Sequence, residues 1–298
     1  MRIAESTTDN AVAKIKEQFS FTVDKFPLFG PDNMPTDQYG LFHSEDGYLP
    51  GVKSVSQHYV PHTTDDVVAI TEAASEVFDG QISAKCHFNN GHYVALAPTD
   101  QTRRDIFNVT NGDNVFPRFM VRGGFDGRGF KAQIGYYRDL CRNLSMLESV
   151  EEFSRSIRHT SGLRWQMNDL ITTFSQLKNS WASMTELIAA MNQKTVDMRE
   201  FLEAIYGEPD DDASGRAITT HKKRTKRIMD RLWDELSQTN QTFNAPATNA
   251  WFAFNAIQGY EQHDAVRRGI NTLNQDFERV LRASNGHVRS AEKLALAA

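Results

Sequence analysis

Residues 113–144, DNVFPRFMVRGGFDGRGFKAQIGYYRDLCRNL, constrain the fold more than any other stretch of the chain. Apolar and polar residues alternate over 115–121 and again over 130–137, the period of a strand with one buried face. Between the runs stand Gly123, Gly124, Gly127 and Gly129, which let a backbone reverse without a Cβ penalty. The pattern predicts a long hairpin closed by a glycine turn, with the second run leading straight into a short helix over 138–148. The chain before this stretch reads as β-rich scaffold, and the chain after it reads as helical.

Upstream, Ala11, Val12, Ile15, Phe19 and Phe21 recur near helical spacing before Pro27, Gly30, Pro31 and Pro35 interrupt regular structure. Residues 1–36 therefore read as an N-terminal arm. Residues 39–42 and 52–60 flank the polar turn Ser44-Glu45-Asp46-Gly47 and predict a hairpin with a longer loop. Thr63 or Thr64 caps a helix over 64–78, whose apolar face is Val67, Ile70, Ala74, Val77 and Phe78. Runs 82–88 and 92–97 flank Asn89-Asn90-Gly91, the signature of a tight hairpin. Residues 100–113 read as a polar surface linker. Residues 37–147 are thus expected to form an antiparallel sheet carrying a packed helix.

Residues 148–298 read as mainly helical. Three- and four-residue apolar steps predict helices over 149–153, 163–177, 181–191, 196–206, 219–236, 249–260 and 270–296, the last interrupted near 284–286. The 219–236 segment is basic, with Ile228, Met229, Leu232 and Trp233 on its apolar side, and the acidic loop 207–212 precedes it. The expected fold class is α+β: an N-terminal antiparallel β-sheet with a packed helix, then a mainly helical C-terminal half.

A formal net charge of −5 over 298 residues excludes a uniformly basic nucleic-acid binder, so any such site must be a local patch. The two cysteines, Cys86 and Cys141, lie in apolar segments and read as buried thiols, not as a disulfide framework. No run approaches about 18 apolar residues, and the polar start MRIAESTTDN lacks the apolar core of a signal peptide. A soluble cytoplasmic protein with no membrane partner is expected.

Several short blocks recur in a recognisable order. They are Tyr59-Val60-Pro61-His62, then Phe125-Asp126-Gly127, then Arg138-Asp139-Leu140-Cys141-Arg142-Asn143 in the pattern R-x-x-C-x-N. Ile157-Arg158-His159-Thr160-Ser161-Gly162 comes next, and 248–263 reads TNAWFAFNAIQGYEQH. Taken in order across residues 50–290, these resemble the phage- and plasmid-encoded family called domain of unknown function 932. Two departures stand out: the family's N-S-H before Asp-Gly is Gly123-Gly124-Phe125 here, and the middle block is one residue longer. The resemblance implies a mobile-element origin and a host-cell cytoplasmic setting. It marks Asp126, Gly127, Arg138, Cys141, Asn143, Trp251, Asn255 and Tyr260 as structural-motif positions, with Arg138 and Asn143 anchoring the sheet-to-helix junction. It supplies no reaction.

Two stretches carry the chemistry of a nucleic-acid site. In His221-Lys222-Lys223-Arg224-Thr225-Lys226-Arg227, cations recur at a density that displaces counterions from a phosphate backbone. The competing explanation is a solvated helix face balanced by Asp210, Asp211 and Asp212. In the central hairpin, Arg122, Arg128 and Lys131 surround the glycine turn, with Phe125 placed to stack on a base. Residues 118–164 hold nine basic side chains against five acidic ones, a surplus of four. The alternation of Phe130, Ala132, Ile134 and Tyr136 assigns most of the neighbouring aromatics to core.

Other constellations are weaker. Cys141 with His159 or Asn143 has the ingredients of a cysteine nucleophile, but a lone cysteine in an apolar segment is far more often core. The histidines form no metal-ligand spacing, and the four glycines lack the Gly-Lys-Ser/Thr of a phosphate loop. No metal, nucleotide or other cofactor is expected, and no catalytic residue is assigned. Hairpin, helix and hairpin leading into a long hairpin resemble, in topology, phage single-strand annealing proteins of the RecT, Redβ and Erf class. The expected function is single-stranded DNA binding with annealing or recombination, with DNA as partner and a homo-oligomer allowed. The alternative is an anti-restriction or host-takeover protein that binds a host protein, and a metal-dependent nuclease ranks third.

Overall fold

The computed structural model describes residues 12–13, 15–17, 20–45, 47–49, 54–77, 82–88, 92–98, 106–125, 130–141, 143–145, 154–173, 177–242, 247–265 and 285–298. It is an α+β protein, with antiparallel sheet in the N-terminal half and mostly helix after it. The chain divides into two compact units. The first comprises Met1–Arg104, Arg118–Ile134 and Glu152–Ser180; the second comprises Asp105–Pro117, Gly135–Glu151 and Trp181–Ala298.

The first unit opens on strands β1 (Val23–Phe29), β2 (Pro35–His43), β3 (Gly47–Tyr48) and β4 (Val55–Ser56). Strand β1 pairs antiparallel with β2 from Val23↔His43 to Phe29↔Pro35, so part of the expected arm is sheet. Pro27 is tolerated because β1 is an edge strand, and the register shifts there. Helix α1 (Thr64–Val77) starts where the sequence places it. Thr63 Oγ1 accepts from the Asp66 N–H at 3.3 Å while Asp66 Oδ2 accepts from the Thr63 N–H at 2.7 Å, a reciprocal cap. The hairpin of β5 (Ile82–Phe88) and β6 (His92–Pro98) forms as predicted, in register from Ile82↔Pro98 to Phe88↔His92.

Strand β7 (Phe107–Thr110) lies in the expected linker, turning at Gly112 (φ +78°) onto β8 (Asp113–Gly123). The positive φ at Gly112 is what lets so polar a stretch fold back as a hairpin. Strand β9 (Phe130–Arg138) comes after it. Residues 119–123 of β8 pair with β6 in the first unit, whereas 113–115 pair with β7 in the second. The short helix expected over 138–148 is overturned. Residues 139–141 turn, Arg138 N–H donates to Asn143 C=O at 3.0 Å, and β10 (Leu144–Ser145) doubles back on Tyr136 and Tyr137. Strand β11 (Ser154–Ile157) pairs with 130–133 of β9 in the first unit. Most of the glycine turn and the helix expected over 149–153 lie outside the described residues.

Helix α2 (Leu163–Thr173) packs on α1 in the first unit. Helix α3 (Leu177–Gln193) leads to β12 (Thr195–Asp197), α4 (Met198–Tyr206) and α5 (Gly215–Gln238). Strand β13 (Ala247–Asn249) pairs with β12 and feeds α6 (Ala250–Gly259), a π-helical turn over Tyr260–Asp264 and, finally, α7 (Gly286–Ala297). Each later helix has its orphan N–H groups met by a side chain of the kind that suits a cap. Asp197 serves α4, Ser214 α5, Asn249 α6 and Asn285 α7. Every residue of α6 is buried, as a helix apolar on all sides requires, and it packs against α5 and α7.

Candidate functional site

The motif residues sort into two buried clusters, one in each unit. In the first unit Phe125, 2% exposed, stacks face to face on His62 with ring centroids 4.6 Å apart and 3° between planes. His159 tilts against His62 at 5.1 Å and stacks on Tyr59 at 4.8 Å. The Val60 N–H donates to His159 C=O at 3.0 Å, tying the two loops by backbone as well as by rings. Three blocks far apart in sequence, around residues 60, 125 and 159, thus meet in one stack. A Phe125 stacked on a base is corrected by this geometry: the ring is enclosed with Val23, Leu41, Leu49, Val55 and Tyr59, and it presents no face to a ligand.

The second cluster is built on Arg138, fully buried at the end of β9. Its Nε and Nη2 donate to the two Asp113 carboxylate oxygens at 2.7 Å each, the fork geometry that only arginine provides. Its Nη1 donates to Glu235 on the inner face of α5 and lies 3.4 Å from Cys141 Sγ. The guanidinium carbon sits 5.3 Å from the Trp251 ring and 5.2 Å from that of Phe252, and Trp251 Nε1 donates to Asp113 Oδ2 at 2.7 Å. Burial opposes the charge on Arg138, but Glu235, Cys141 and Asp113 outweigh it and hold its pKa well above the ordinary arginine value.

One guanidinium faces two carboxylates here, and they are served unequally. Asp113 accepts three hydrogen bonds, whereas Glu235 Oε1 has no hydrogen-bond partner among the described residues. Burial raises the Glu235 carboxyl above its usual range even though Arg138 pulls the other way. Burial, reinforced by Glu235, also pushes the Cys141 thiol up to about 12, so it is not an activated nucleophile at neutral pH.

Beside this core, Asn143 Nδ2 donates to Asn255 C=O at 3.0 Å, and its Oδ1 lies 3.2 Å from His263 Nε2. A Cβ on Gly259 would meet Asn143 Oδ1 at 3.3 Å and Arg231 Nη1 at 3.1 Å, so a larger residue there would press these side chains back by a few tenths of an ångström. Tyr260 opens the π-helical turn just beyond. Asp126 and Gly127 lie outside the described residues. Asp113 and Glu235 belong to the second cluster but are not singled out in the sequence, where nothing names Arg138 as their partner.

The basic residues fare unevenly. Arg122 falls on β8 opposite Tyr93 and Lys131 on β9 opposite Ser156, both in the first unit, and Arg128 lies outside the described residues. On α5 in the second unit, Lys222, Lys223, Lys226 and Arg227 are exposed, as is Arg216 earlier on the same helix. Lys226 pairs with Asp230 at 2.7 Å on the same face. Arg224 is half-buried, and its guanidinium packs over the Tyr206 ring at 4.1 Å. Trp233 is also reassigned: expected on the apolar side, it is 43% exposed, continuing the row of Lys222 and Lys226 along the helix. Among the described residues no group of three or more His, Cys, Asp or Glu side chains is placed to hold a metal ion, and no helix is long and apolar enough to cross a membrane.

Fold and clusters together define an α+β protein with a buried cluster of motif residues in each of its two units. The chain belongs to the family described as domain of unknown function DUF932, whose model matches residues 52–284. No curated protein and no solved structure matches it.

Proposed function

We propose that this is a mobile-element protein that binds single-stranded DNA, acting in annealing or recombination, with the exposed face of α5 holding the phosphate backbone. One observation carries the reading: Arg216, Lys222, Lys223, Lys226 and Arg227 all reach solvent between residues 215 and 227 of one continuous helix. Trp233, exposed farther along the Lys222–Lys226 row, takes the stacking role that Phe125 cannot fill. The phage or plasmid origin rests on the family resemblance and is part of the same proposal.

The test is fluorescence anisotropy with a labelled single strand and its duplex, titrated at several salt concentrations. Tighter single-strand binding is expected, with log K falling steeply with log salt. A Lys222→Ala/Lys223→Ala/Arg227→Ala variant should lower that slope by roughly 2, at about 0.7 for each phosphate no longer neutralised. Unchanged affinity and slope in this variant would remove α5 as the site, and no binding at low salt would end the DNA reading.

A protein-binding role, such as anti-restriction or host takeover, is favoured by a different feature. Phe26, Phe29, Met34 and Tyr48 are exposed on the β1–β2–β3 sheet, fringed by exposed Asp24, Asp32, Asp37 and Glu45. If DNA binding fails, a Phe26→Ser/Tyr48→Ser variant compared with wild type in capture from host lysate is the discriminating measurement.

A further inference from the structure

The outer face of α5 carries a charge order that a solvated helix does not need. Lys223, Arg227, Asp230 and Asp234 follow the i, i+4, i+7, i+11 spacing and so form one row, and all four are on the solvent side of the helix. Along that row the signs run plus, plus, minus, minus. Like charges therefore sit at i, i+4 in Lys223/Arg227 and Asp230/Asp234, and again in Lys222/Lys226 of the neighbouring row, an arrangement that weakens an isolated helix. Within this set of charges, the Lys226–Asp230 pair and the opposite charges at i, i+3 in Arg227/Asp230 and Arg231/Asp234 offset part of the cost.

The same order becomes favourable against a second copy of itself. We infer that α5 pairs antiparallel with α5 of another copy of this chain, about a two-fold axis passing between residues 228 and 229. That operation sets Lys223 opposite Asp234 and Arg227 opposite Asp230, each pair formed twice, and Thr220 opposite Ser237. It brings Trp233 level with residue 224 of the other helix, beside Lys222 and Lys226 of its flanking row, within reach of a cation–π contact. Opposed dipoles add to the pairing. An interface that is self-complementary under a two-fold axis is the commonest route to a homodimer. Because its attraction lies between exposed charges, it is weak and salt-sensitive.

This pairing is independent of DNA binding but shares Lys223 and Arg227 with it, so nucleic acid and a second copy compete for one face. Sedimentation velocity of the full chain over a range of concentrations should show a monomer–dimer equilibrium at low salt that shifts to monomer at high salt. Lys223→Glu/Arg227→Glu and Asp230→Lys/Asp234→Lys should each weaken self-association by about tenfold or more, through like charges facing one another. An equimolar mixture of the two variants should restore a dimer, and the four-fold swap should restore a homodimer, which guards against loss of fold as an explanation. Asp230→Lys/Asp234→Lys should keep single-strand binding while losing the dimer, which separates failure of this inference from failure of the DNA reading. A wild-type chain that stays monomeric at low salt, double variants that dimerise like wild type, or a mixture that stays monomeric would each overturn it.

Discussion

Phe125 and Arg138 are both essentially inaccessible to solvent, each at the heart of its own unit, yet what surrounds them differs in kind. Around Phe125 the neighbours are rings and aliphatic side chains: His62, Tyr59, Val23, Leu41 and Val55. Around Arg138 they are two carboxylates, a thiol and the faces of two aromatic rings. The first core is held by area removed from water and by ring stacking, contributions that degrade gradually when a side chain is trimmed. The second is held by a paired charge. Such a pair adds little net stability when intact, but it is costly to break because the partner charge stays buried.

The largest expected effect tests that asymmetry directly. Arg138→Met leaves Asp113 and Glu235 buried without their cation and should cost about 3–5 kcal/mol by urea denaturation. A loss below about 1 kcal/mol would mean that the carboxylates are readily neutralised and the pair is not a keystone. Trp251→Phe keeps most of the packing but removes the 2.7 Å donation to Asp113. A loss of about 1.5–3 kcal/mol is expected, the range for a hydrogen bond to a charged group. In the first unit, Phe125→Leu preserves an apolar side chain and loses the stack on His62, for about 1 kcal/mol. Should Phe125→Leu prove costlier than Arg138→Met, the contrast between the two cores would fail.

The smallest effect is a slope. Because burial raises the Glu235 carboxyl, the folded protein holds that proton to higher pH than the unfolded chain does. The associated stability is fully present below the unfolded pKa and is lost as pH rises through the higher folded value. Glu235→Gln removes the titration, so its stability should decline less than that of wild type as pH rises from acid toward neutral. Equal pH profiles from thermal melts at several pH values would show that Glu235 does not bear the unbalanced charge.

Much of the architecture was legible because its causes are local. The Asn-Gly step between 88 and 92, the Thr63 cap and the three- and four-residue apolar steps each act within a few residues, and hairpin and helices formed there. The misreadings have a common cause, which is backbone pairing that side-chain periodicity does not show. Val23–Phe29 is a strand because β2 is present to receive it, although Pro27 within it and Pro31 beyond it suggest an irregular arm. Residues 138–145 have helical texture, yet the Arg138-to-Asn143 backbone bond and the return of β10 along β9 take precedence.

By itself the sequence determined the fold class, most element positions, the family and the concentration of cations in 222–227, since composition and periodicity are properties of a chain read in order. Only the tertiary structure decided what those residues face. It turned Phe125 inward and Trp233 outward, and it drew Arg224 onto Tyr206. It also joined Arg138 to an aspartate 25 residues before it and a glutamate 97 residues after it. The reason is physical: a side chain's burial and charge partner depend on which distant segment packs against it, and no periodicity within one segment encodes the identity of its neighbour.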